Sequence, residues 1–259
     1  MPKNSENIGA NLKRRFDAVI CDIDGCLGPE SSAPFNAEAL TRIAQHNRRA
    51  ITDGDRPVVT VCSGRPQPFA EAVCRFIAND AVPCVAENGV WLYDPRENVY
   101  LRDPAITAQH LDAVARATAW IEEHLIPTGV VMQPGKSASM SLWHADTPHL
   151  RSLMPKLESV FRENSWPFRV SMTVAWINCD LAHISKATGI ARLIARTGLR
   201  KERLAGIGDT LSDRAIAENV GFFACPANAE APLRAIAGFV SDQREADGVL
   251  DILSRLGDS

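Results

Sequence analysis

The chain has 259 residues, of which 46% are hydrophobic and 23% are charged, with a formal net charge of -3 and a sequence pI near 6.1. This composition excludes the disordered and fibrous classes, and the length admits one large domain or two smaller ones. The charge would not gather nucleic acid or anionic lipid, no apolar run is long enough to cross a bilayer, and the polar start lacks the apolar stretch of a signal peptide, so we expect a cytoplasmic protein without nucleic-acid or membrane partners.

The first third of the chain alternates short apolar runs with helical periodicity. Buried strands are predicted where β-rich apolar runs end abruptly, and helices where apolar residues recur at helical spacing. In chain order these elements are a strand at Phe16–Cys21, a helix at 36–49, a strand at Val58–Cys62, a helix at Phe69–Ile77 and a strand at Pro83–Ala86. Strands that alternate with helices predict a doubly wound parallel sheet and an α/β fold.

The pattern changes in the middle of the chain. After a hairpin at 89–103, it reads as helix, strand and strand twice over: a helix at 105–124, strands near Val130 and at Ser139–Trp143, a helix at 149–162, and strands near Arg169 and at Val174–Asn178. This duplication predicts an antiparallel sheet with helices on one face, hence a separate α+β unit.

The α/β rhythm then resumes. A helix is predicted at Lys186–Arg196, followed by strands at Arg203–Ile207, Gly221–Ala224 and Gly238–Val240. We therefore predict a discontinuous core domain, residues 1–103 and 183–259, interrupted by an inserted cap domain, residues 104–182. The seven cysteines form no CxxC pair and several lie in apolar runs, so we expect reduced, buried side chains rather than a zinc site.

Two aspartates follow the first predicted strand, Asp22 and Asp24 in the segment DIDGCL. On an extended chain their side chains leave on the same side, and Gly25 allows a sharp turn after them. Paired carboxylates suit a hard cation such as Mg²⁺. The alternative is that both aspartates cap a turn or a helix.

Three further segments carry polar residues at strand ends or helix starts. Ser63 and Gly64 follow the second strand, where a hydroxyl and free N–H groups could hold phosphate oxygens, although Ser63 is equally suited to cap a helix. Lys186 starts a helix where a cation could meet a phosphate dianion, although most lysines are solvent-exposed. Asp209 leaves a strand end and Asp213 follows one helical turn later, as ligands of one Mg²⁺ ion should. Ligands bind beyond the carboxyl ends of the strands in open α/β sheets, so these loops are expected to build one site.

In chain order, the four segments and the insert between the second and third resemble the signature of the haloacid dehalogenase-like (HAD) superfamily. The pattern is most similar to its Cof-type branch, which consists mostly of phosphatases of sugar phosphates and related small metabolites and carries a large α+β cap on a Rossmann-like core. The resemblance spans nearly the whole chain, including AENG at 86–89, PANA at 226–229 and DGVLDIL at 247–253.

The resemblance implies a Mg²⁺-dependent phosphatase of a small phosphorylated metabolite. Asp22 would attack phosphorus and form an aspartyl phosphate, and Asp24 would protonate the leaving oxygen and later activate water. The implied metal ligands are Asp22, the main-chain carbonyl of Asp24, Asp209 and Asp213. Ser63, Gly64 and Lys186 would bind the phosphate.

Two residues depart from the family pattern, since Cys26 stands where Thr is usual and Ser212 where Asn is usual. We expect these departures to alter the rate rather than abolish activity. Arg65, Asn88 and His183 are possible substrate contacts. Specificity should lie in the cap, where the candidates are Lys136, Ser137, Ser139, Trp143, His144, Arg169, Met172 and Trp176, with packing favoured for the two tryptophans.

Two other functions stay open on the sequence. A phosphomutase uses the same aspartyl phosphate but returns the group to a second hydroxyl. A non-catalytic phospholigand-binding module on the same fold is disfavoured because the acidic residues and Lys186 are all present. The sequence names neither the substrate nor the oligomeric state.

Overall fold

The structure is a computed structural model that describes residues 14–30 and 32–257. Its strands are β1 (Ala18–Cys21), β2 (Val58–Val61), β3 (Cys84–Ala86), β4 (Trp91–Asp94), β5 (Val99–Arg102), β6 (Val131–Met132), β7 (Ser139–Trp143), β8 (Phe168–Met172), β9 (Trp176–Leu181), β10 (Leu204–Ile207), β11 (Phe222–Cys225) and β12 (Phe239–Val240). Its α-helices are α1 (Ala37–Asp53), α2 (Gln67–Phe76), α3 (Ala108–His124), α4 (Thr147–Ser152), α5 (Met154–Glu163), α6 (Lys186–Thr197), α7 (Arg214–Ala217), α8 (Ala231–Arg234) and α9 (Glu245–Gly257).

A five-stranded parallel sheet in the order β12-β11-β10-β1-β2 forms the core. From β1 the chain continues to β2, which lies on one side of β1, and it later returns to β10, which lies on the other side. The strand order therefore reverses beside β1. Cys21 of β1 pairs with Ile207 of β10 in the parallel ladder, and the loops after both strands therefore start at the same edge. This edge is where the first and fourth motifs meet.

The residues of β1 explain why this strand is central. All four are buried, and alternation along the strand sends Val19 and Cys21 into one hydrophobic cluster and Ala18 and Ile20 into the cluster on the opposite face. A continuous apolar run is what a parallel strand covered by helices on both faces requires. The predicted α/β fold with a doubly wound core is confirmed.

Two antiparallel sheets stand beside the core sheet. A three-stranded sheet, β3-β4-β5, is connected to it by a bridge between Cys62 and Val85. A four-stranded sheet in the order β6-β7-β9-β8 forms the cap and has its own hydrophobic cluster, to which Met140, Ile177 and Cys179 contribute. The division of the chain at residues 103 and 183 stays a prediction.

The structure corrects two predicted elements. The helix predicted at 149–162 is divided at Leu153 into α4 and α5, because Pro155 has no N–H to continue the hydrogen-bond ladder. Val174 lies in a turn rather than a strand, and the hydrogen bond from Thr173 N to Trp176 O closes this hairpin before β9 begins.

Two other predictions can be compared with the described residues. All seven cysteines are buried free thiols, as predicted. Within residues 14–30 and 32–257, no helix combines the length and apolarity that a bilayer crossing needs.

Close packing of α6 against the core can be tested at Gly189, where helix propensity and overpacking change the free energy of unfolding in opposite directions. A Cβ at Gly189 would lie 2.5 Å from Val85 Cγ1 and 2.9 Å from Gly89 Cα. Helix propensity alone would make Gly189→Ala stabilising by about 1 kcal/mol, but overpacking is expected to lower the free energy of unfolding by about 1–3 kcal/mol. Urea unfolding measures the difference, with the exposed substitution Ala195→Ser on the same helix as the control; an increase in stability for Gly189→Ala would contradict the packing.

Candidate active site

The loop after β1 places a buried carboxylate against the loop after β10. The Asp22 N–H donates to Ile207 O over 3.0 Å, which carries the ladder one residue past β1. Gly25 follows with φ +76°, and a Cβ there would lie 1.9 Å from Asp209 Oδ2. The turn therefore requires glycine for both its conformation and its close approach to Asp209.

Three buried carboxylates converge at this edge. One oxygen from each of Asp22, Asp209 and Asp213 lies within 4.8 Å of the others. Asp213 Oδ2 accepts hydrogen bonds from the N–H groups of Asp209 (3.0 Å) and Thr210 (3.1 Å), which fixes the loop after β10. The predicted convergence of the first and fourth motifs is thus present in the structure.

Lys186 supplies a positive charge to this acidic group. Its Nζ donates to Asp213 Oδ1 over 2.6 Å and lies 3.0 Å from Asp22 Oδ1, where the ion pair lacks hydrogen-bond geometry. Lys186 opens α6, which begins with a capping box between Ser185 and Thr188. Only 5% of the Lys186 residue is exposed, so the alternative of a solvent-exposed lysine is excluded.

The buried carboxylates carry more negative charge than Lys186 alone can neutralise. Burial, and then the negative charge of Asp213, raise the pKa of Asp22 to about 8 and that of Asp209 to about 9, although Lys186 opposes both shifts. Asp22 Oδ1 and Asp209 Oδ1 are buried without a hydrogen-bond partner. Asp209 Oδ1 is thus left without a donor and Asp22 Oδ1 has only its ion pair with Lys186. Carboxylate oxygens in such a group are the donors that Mg²⁺ prefers, so these residues fit a divalent cation.

The second aspartate of the first motif does not belong to this group of carboxylates. The Asp24 carboxylate is bound by Arg65, whose Nε lies 2.8 Å from Oδ2 and whose Nη2 lies 2.5 Å from Oδ1. The implied role of Asp24 as a ligand uses its main-chain carbonyl and does not depend on this side chain. Arg65 therefore orients the Asp24 carboxylate, an arrangement between residues 41 positions apart that the sequence did not predict.

Ser63 and Gly64 lie beside the AENG loop. The buried Ser63 Oγ accepts from the N–H of Arg65 over 3.1 Å, and α2 begins later, at the cap residue Pro66, so Ser63 is not a helix cap. Because Ser63 Oγ is the acceptor in this bond, its hydroxyl proton can still be donated to a ligand. A Cβ at Gly64 would lie 3.0 Å from Asn88 Oδ1, so the Asn88 side chain covers this turn.

A cavity of about 570 Å³ lies between the core and the cap. It brings together most of the predicted catalytic, phosphate-binding and substrate-binding residues, namely Asp22, Asp24, Ser63, Gly64, Arg65, Asn88 and Lys186. Of the predicted cap residues, Lys136, Arg169, Met172 and Trp176 line it, whereas Ser137, Ser139, Trp143 and His144 do not. Trp176 thus lies at the cavity wall, although the sequence analysis favoured a packing role for it within the cap.

His183, a possible substrate contact on the sequence, lies away from the cavity. It is exposed, it does not line the cavity, and its ring contacts that of His110 in a tilted arrangement with 4.5 Å between the ring centroids. It lies in the turn after β9, which the hydrogen bond from Ile184 N to Leu181 O closes. We drop His183 from the candidate substrate contacts.

The sequence analysis missed three polar residues at or near the site. Asn228 donates to Gly25 O over 2.8 Å and to Asp209 Oδ2 over 3.3 Å, and PANA was the signal that contained it. Glu30 lines the cavity, and burial raises its pKa to about 7. Glu87, in AENG, accepts hydrogen bonds from the cap. Glu30 lies in none of the sequence motifs, so the sequence did not indicate it as a site residue.

The two departures from the expected pattern occupy different positions. Cys26 is fully buried. Ser212 lines the cavity, and its Oγ lies 2.9 Å from Thr210 Oγ1. Their effect on the rate stays a prediction.

Comparisons with known proteins agree with this geometry. The family model for haloacid dehalogenase-like hydrolases matches residues 135–253, which include Lys186, Asp209 and Asp213. The chain is 25% identical over 203 residues to a phosphoglycolate phosphatase of Natronomonas pharaonis, and the aligned region covers 78% of this chain and 84% of that protein.

Solved structures share the fold over nearly the whole chain. A structure from Plasmodium vivax named as a HAD/COF-like hydrolase has a TM-score of 0.71 at 17% identity and covers 94% of this chain and 95% of that one. The sucrose-phosphatase of Synechocystis sp. PCC6803 has a TM-score of 0.65 at 14% identity and covers 94% and 98%. The predicted combination of a Rossmann-like core and a cap is confirmed.

The raised pKa values predict how cation binding depends on pH. A carboxyl group whose pKa is higher in the folded state stabilises the fold below its unfolded pKa, near 4, and loses this contribution as pH rises through the folded value. For Asp22 and Asp209 that loss extends to about pH 8 and 9. Saturating Mg²⁺ is therefore expected to raise the melting temperature at least about 3 °C more at about pH 8 than at about pH 6.

A thermal melt with and without Mg²⁺ at both pH values checks this expectation. Asp209→Asn should remove most of the Mg²⁺ effect and make the metal-free protein less sensitive to pH. Asp112→Asn, an exposed substitution on α3, is the matched control and should behave as the wild type. An equal Mg²⁺ effect at both pH values, or its persistence in Asp209→Asn, would show that these carboxylates do not hold the cation.

Proposed function

We propose that the chain is a haloacid dehalogenase-like phosphomonoesterase that hydrolyses a small phosphorylated metabolite through an aspartyl phosphate on Asp22. The observation that carries the proposal is the buried Asp22 carboxylate, which opens onto the cavity beside Lys186 and within 4.8 Å of Asp209 and Asp213. The phosphatase names of the curated relatives agree with it.

The first step needs Asp22 as an anion next to a phosphate dianion. Mg²⁺, held by Asp22, Asp209, Asp213 and the main-chain carbonyl of Asp24, would supply positive charge that lowers the pKa of Asp22 and offsets the charge of the phosphate. Lys186 adds a further positive charge through its contacts with Asp22 and Asp213. Ser63 Oγ–H and the Gly64 N–H orient the transferred group.

Asp24 exchanges a proton with the leaving group and with water. It protonates the leaving oxygen when Asp22 attacks phosphorus, and then accepts a proton from the water that hydrolyses the aspartyl phosphate. Before substrate binds, the Asp24 carboxylate is held by its ion pair with Arg65. Since Arg65 lines the same cavity as Ser63, an incoming phosphate competes with the Asp24 carboxylate for the guanidinium and frees it to carry the proton.

We propose a small phosphate ester as the substrate. The relative named as a phosphoglycolate phosphatase supports phosphoglycolate as the first candidate, and the neighbour named as a sucrose-phosphatase supports sugar phosphates as the next. A phosphomutase would use the same residues and would respond to a bisphosphate activator, which a hydrolase does not need. A non-catalytic phospholigand-binding module would not need the full set of acidic residues with Lys186. The relatives named as phosphatases favour hydrolysis over both.

A substitution at Asp22 tests the function directly. We expect Asp22→Asn to lower phosphate release from phosphoglycolate and a panel of sugar phosphates by at least about 10³-fold, because the amide cannot attack phosphorus. Asp112→Asn is the control, since its carboxylate is exposed on α3. Comparable turnover by Asp22→Asn, or no turnover of any monoester by the wild type in Mg²⁺, would contradict the proposal.

The role of Asp24 is tested by the leaving group. For alkyl phosphates, Asp24→Asn is expected to lower kcat/KM by about 10²–10⁴-fold because the leaving alkoxide needs a proton. For p-nitrophenyl phosphate the loss should be much smaller, since nitrophenolate leaves without one. Steady-state kinetics on both esters measure the ratio, and Asp24→Glu, which keeps a carboxylic acid, is the matched variant. Equal losses on the two esters would exclude Asp24 as the acid.

A further inference from the structure

The face of the cap sheet toward the cavity is polar. Ladder pairing places Asn178 between Ser141 on one side and Ser171 on the other, and Asp180 between Ser139 and Arg169. The opposite face of the same strands carries Met140, Leu142, Ile177 and Cys179 into the cap's hydrophobic cluster. Alternation along the strands thus leaves a row of hydrogen-bonding groups at the cavity wall.

One cation in this row has no acidic partner. Lys136 Nζ donates to Ser141 Oγ over 2.5 Å, and Ser141 Oγ donates in turn to Asn178 Oδ1 over 2.5 Å. Among residues 14–30 and 32–257, no carboxylate forms an ion pair with Lys136 and no acceptor binds the Asn178 amide hydrogens. Both groups line the cavity, so an ammonium and an amide donor remain for a ligand.

Lys136 is on the cap but is held in place by the core. The Glu87 carboxylate accepts four hydrogen bonds from the segment that follows Lys136, from Ser137 N (2.9 Å), Ser137 Oγ (2.9 Å), Ala138 N (2.7 Å) and Ser139 Oγ (2.9 Å). On the other side of Lys136, a Cβ at Gly135 would lie 3.6 Å from Pro66 Cβ. The ammonium is therefore positioned before a ligand binds, close to the loop that carries Ser63 and Arg65.

The charges nearby indicate which ligand fits. Burial lowers the pKa of Lys136, and the negative charges of Asp180 and then of Glu87 oppose this shift without cancelling it, so the ammonium is incompletely compensated. Arg169 Nη2 lies 3.7 Å from Asp180 Oδ2, which leaves no large surplus of positive charge at this wall. A single negative charge fits better than a second phosphate dianion, and a neutral hydroxyl would leave Lys136 uncompensated.

We propose that Lys136 and the Asn178 amide bind a carboxylate on the leaving group, so that the preferred substrates are short phosphorylated hydroxy acids. The inference rests on the proposed phosphatase function. In this arrangement the phosphate lies at Asp22 and Lys186, and the carboxylate lies at the cap wall of the same cavity.

Two esters of equal length isolate the carboxylate. In 2-phosphoglycolate the carbon next to the ester CH₂ is a carboxylate, and in 2-hydroxyethyl phosphate it is a CH₂OH group. We expect the wild type to prefer phosphoglycolate by at least about 10-fold in kcat/KM. Lys136→Met should lower kcat/KM for phosphoglycolate by about 10–100-fold, mainly through KM, and for hydroxyethyl phosphate by less than about 3-fold.

Two further variants separate charge from folding. Lys136→Arg keeps the positive charge and should keep most of the preference for the carboxylate. Lys156→Met removes an exposed lysine from α5 of the same cap and should change neither ester. Thermal melting of all variants reports whether they are folded.

The outcomes distinguish this inference from the function on which it rests. Turnover of hydroxyethyl phosphate equal to or faster than that of phosphoglycolate, or equal losses on both esters in Lys136→Met, would overturn the carboxylate site while leaving a phosphatase. Turnover of no monoester above the Asp22→Asn blank would overturn the phosphatase and, with it, the carboxylate site.

Discussion

The rest of this structure depends on keeping three carboxylates buried close together beside one lysine. Asp22, Asp209 and Asp213 lie within 4.8 Å of one another, and Lys186 supplies a single positive charge. Such a group is costly to bury unless a further cation completes it. The fold maintains it through short loops after β1 and β10, backbone N–H donors to Asp213 and a glycine at position 25. The proposed phosphoryl transfer would use the same carboxylates that these loops hold in place.

The contact between core and cap depends on one strained loop. Glu87, Asn88 and Gly89 have φ values of 51°, 52° and 106°, a run of left-handed conformations that costs free energy at the two residues that carry side chains. Hydrogen bonds from the cap to Glu87 and from Asn88 Nδ2 to Asp180 Oδ2 (3.1 Å) maintain it. The same loop therefore covers Gly64 on the phosphate side and fixes the segment after Lys136 on the cap side.

The sequence predicted those parts of the site that follow from local pattern. Asp22 and Asp209 each follow a buried apolar strand, and parallel strands end at one edge, so their convergence was predictable. The Asp24–Arg65 pair, the Glu87 anchor and the row at Ser141 and Asn178 depend on contacts across 37 to 52 positions, which no local pattern encodes. His183, proposed as a possible substrate contact, does not line the cavity. Cytoplasmic location and the lack of nucleic-acid or membrane partners stay predictions.

Covalent phosphorylation of Asp22 is the central claim, and trapping the phosphoenzyme tests it most directly. Asp24→Asn should form the aspartyl phosphate from p-nitrophenyl phosphate but hydrolyse it slowly, because no base activates water. Acid quench followed by peptide mass analysis should then locate a hydroxylamine-sensitive phosphoryl group on Asp22, together with a burst of nitrophenolate close to one per enzyme. Steady nitrophenolate release without a burst, or a phosphoryl group on another residue, would contradict the account.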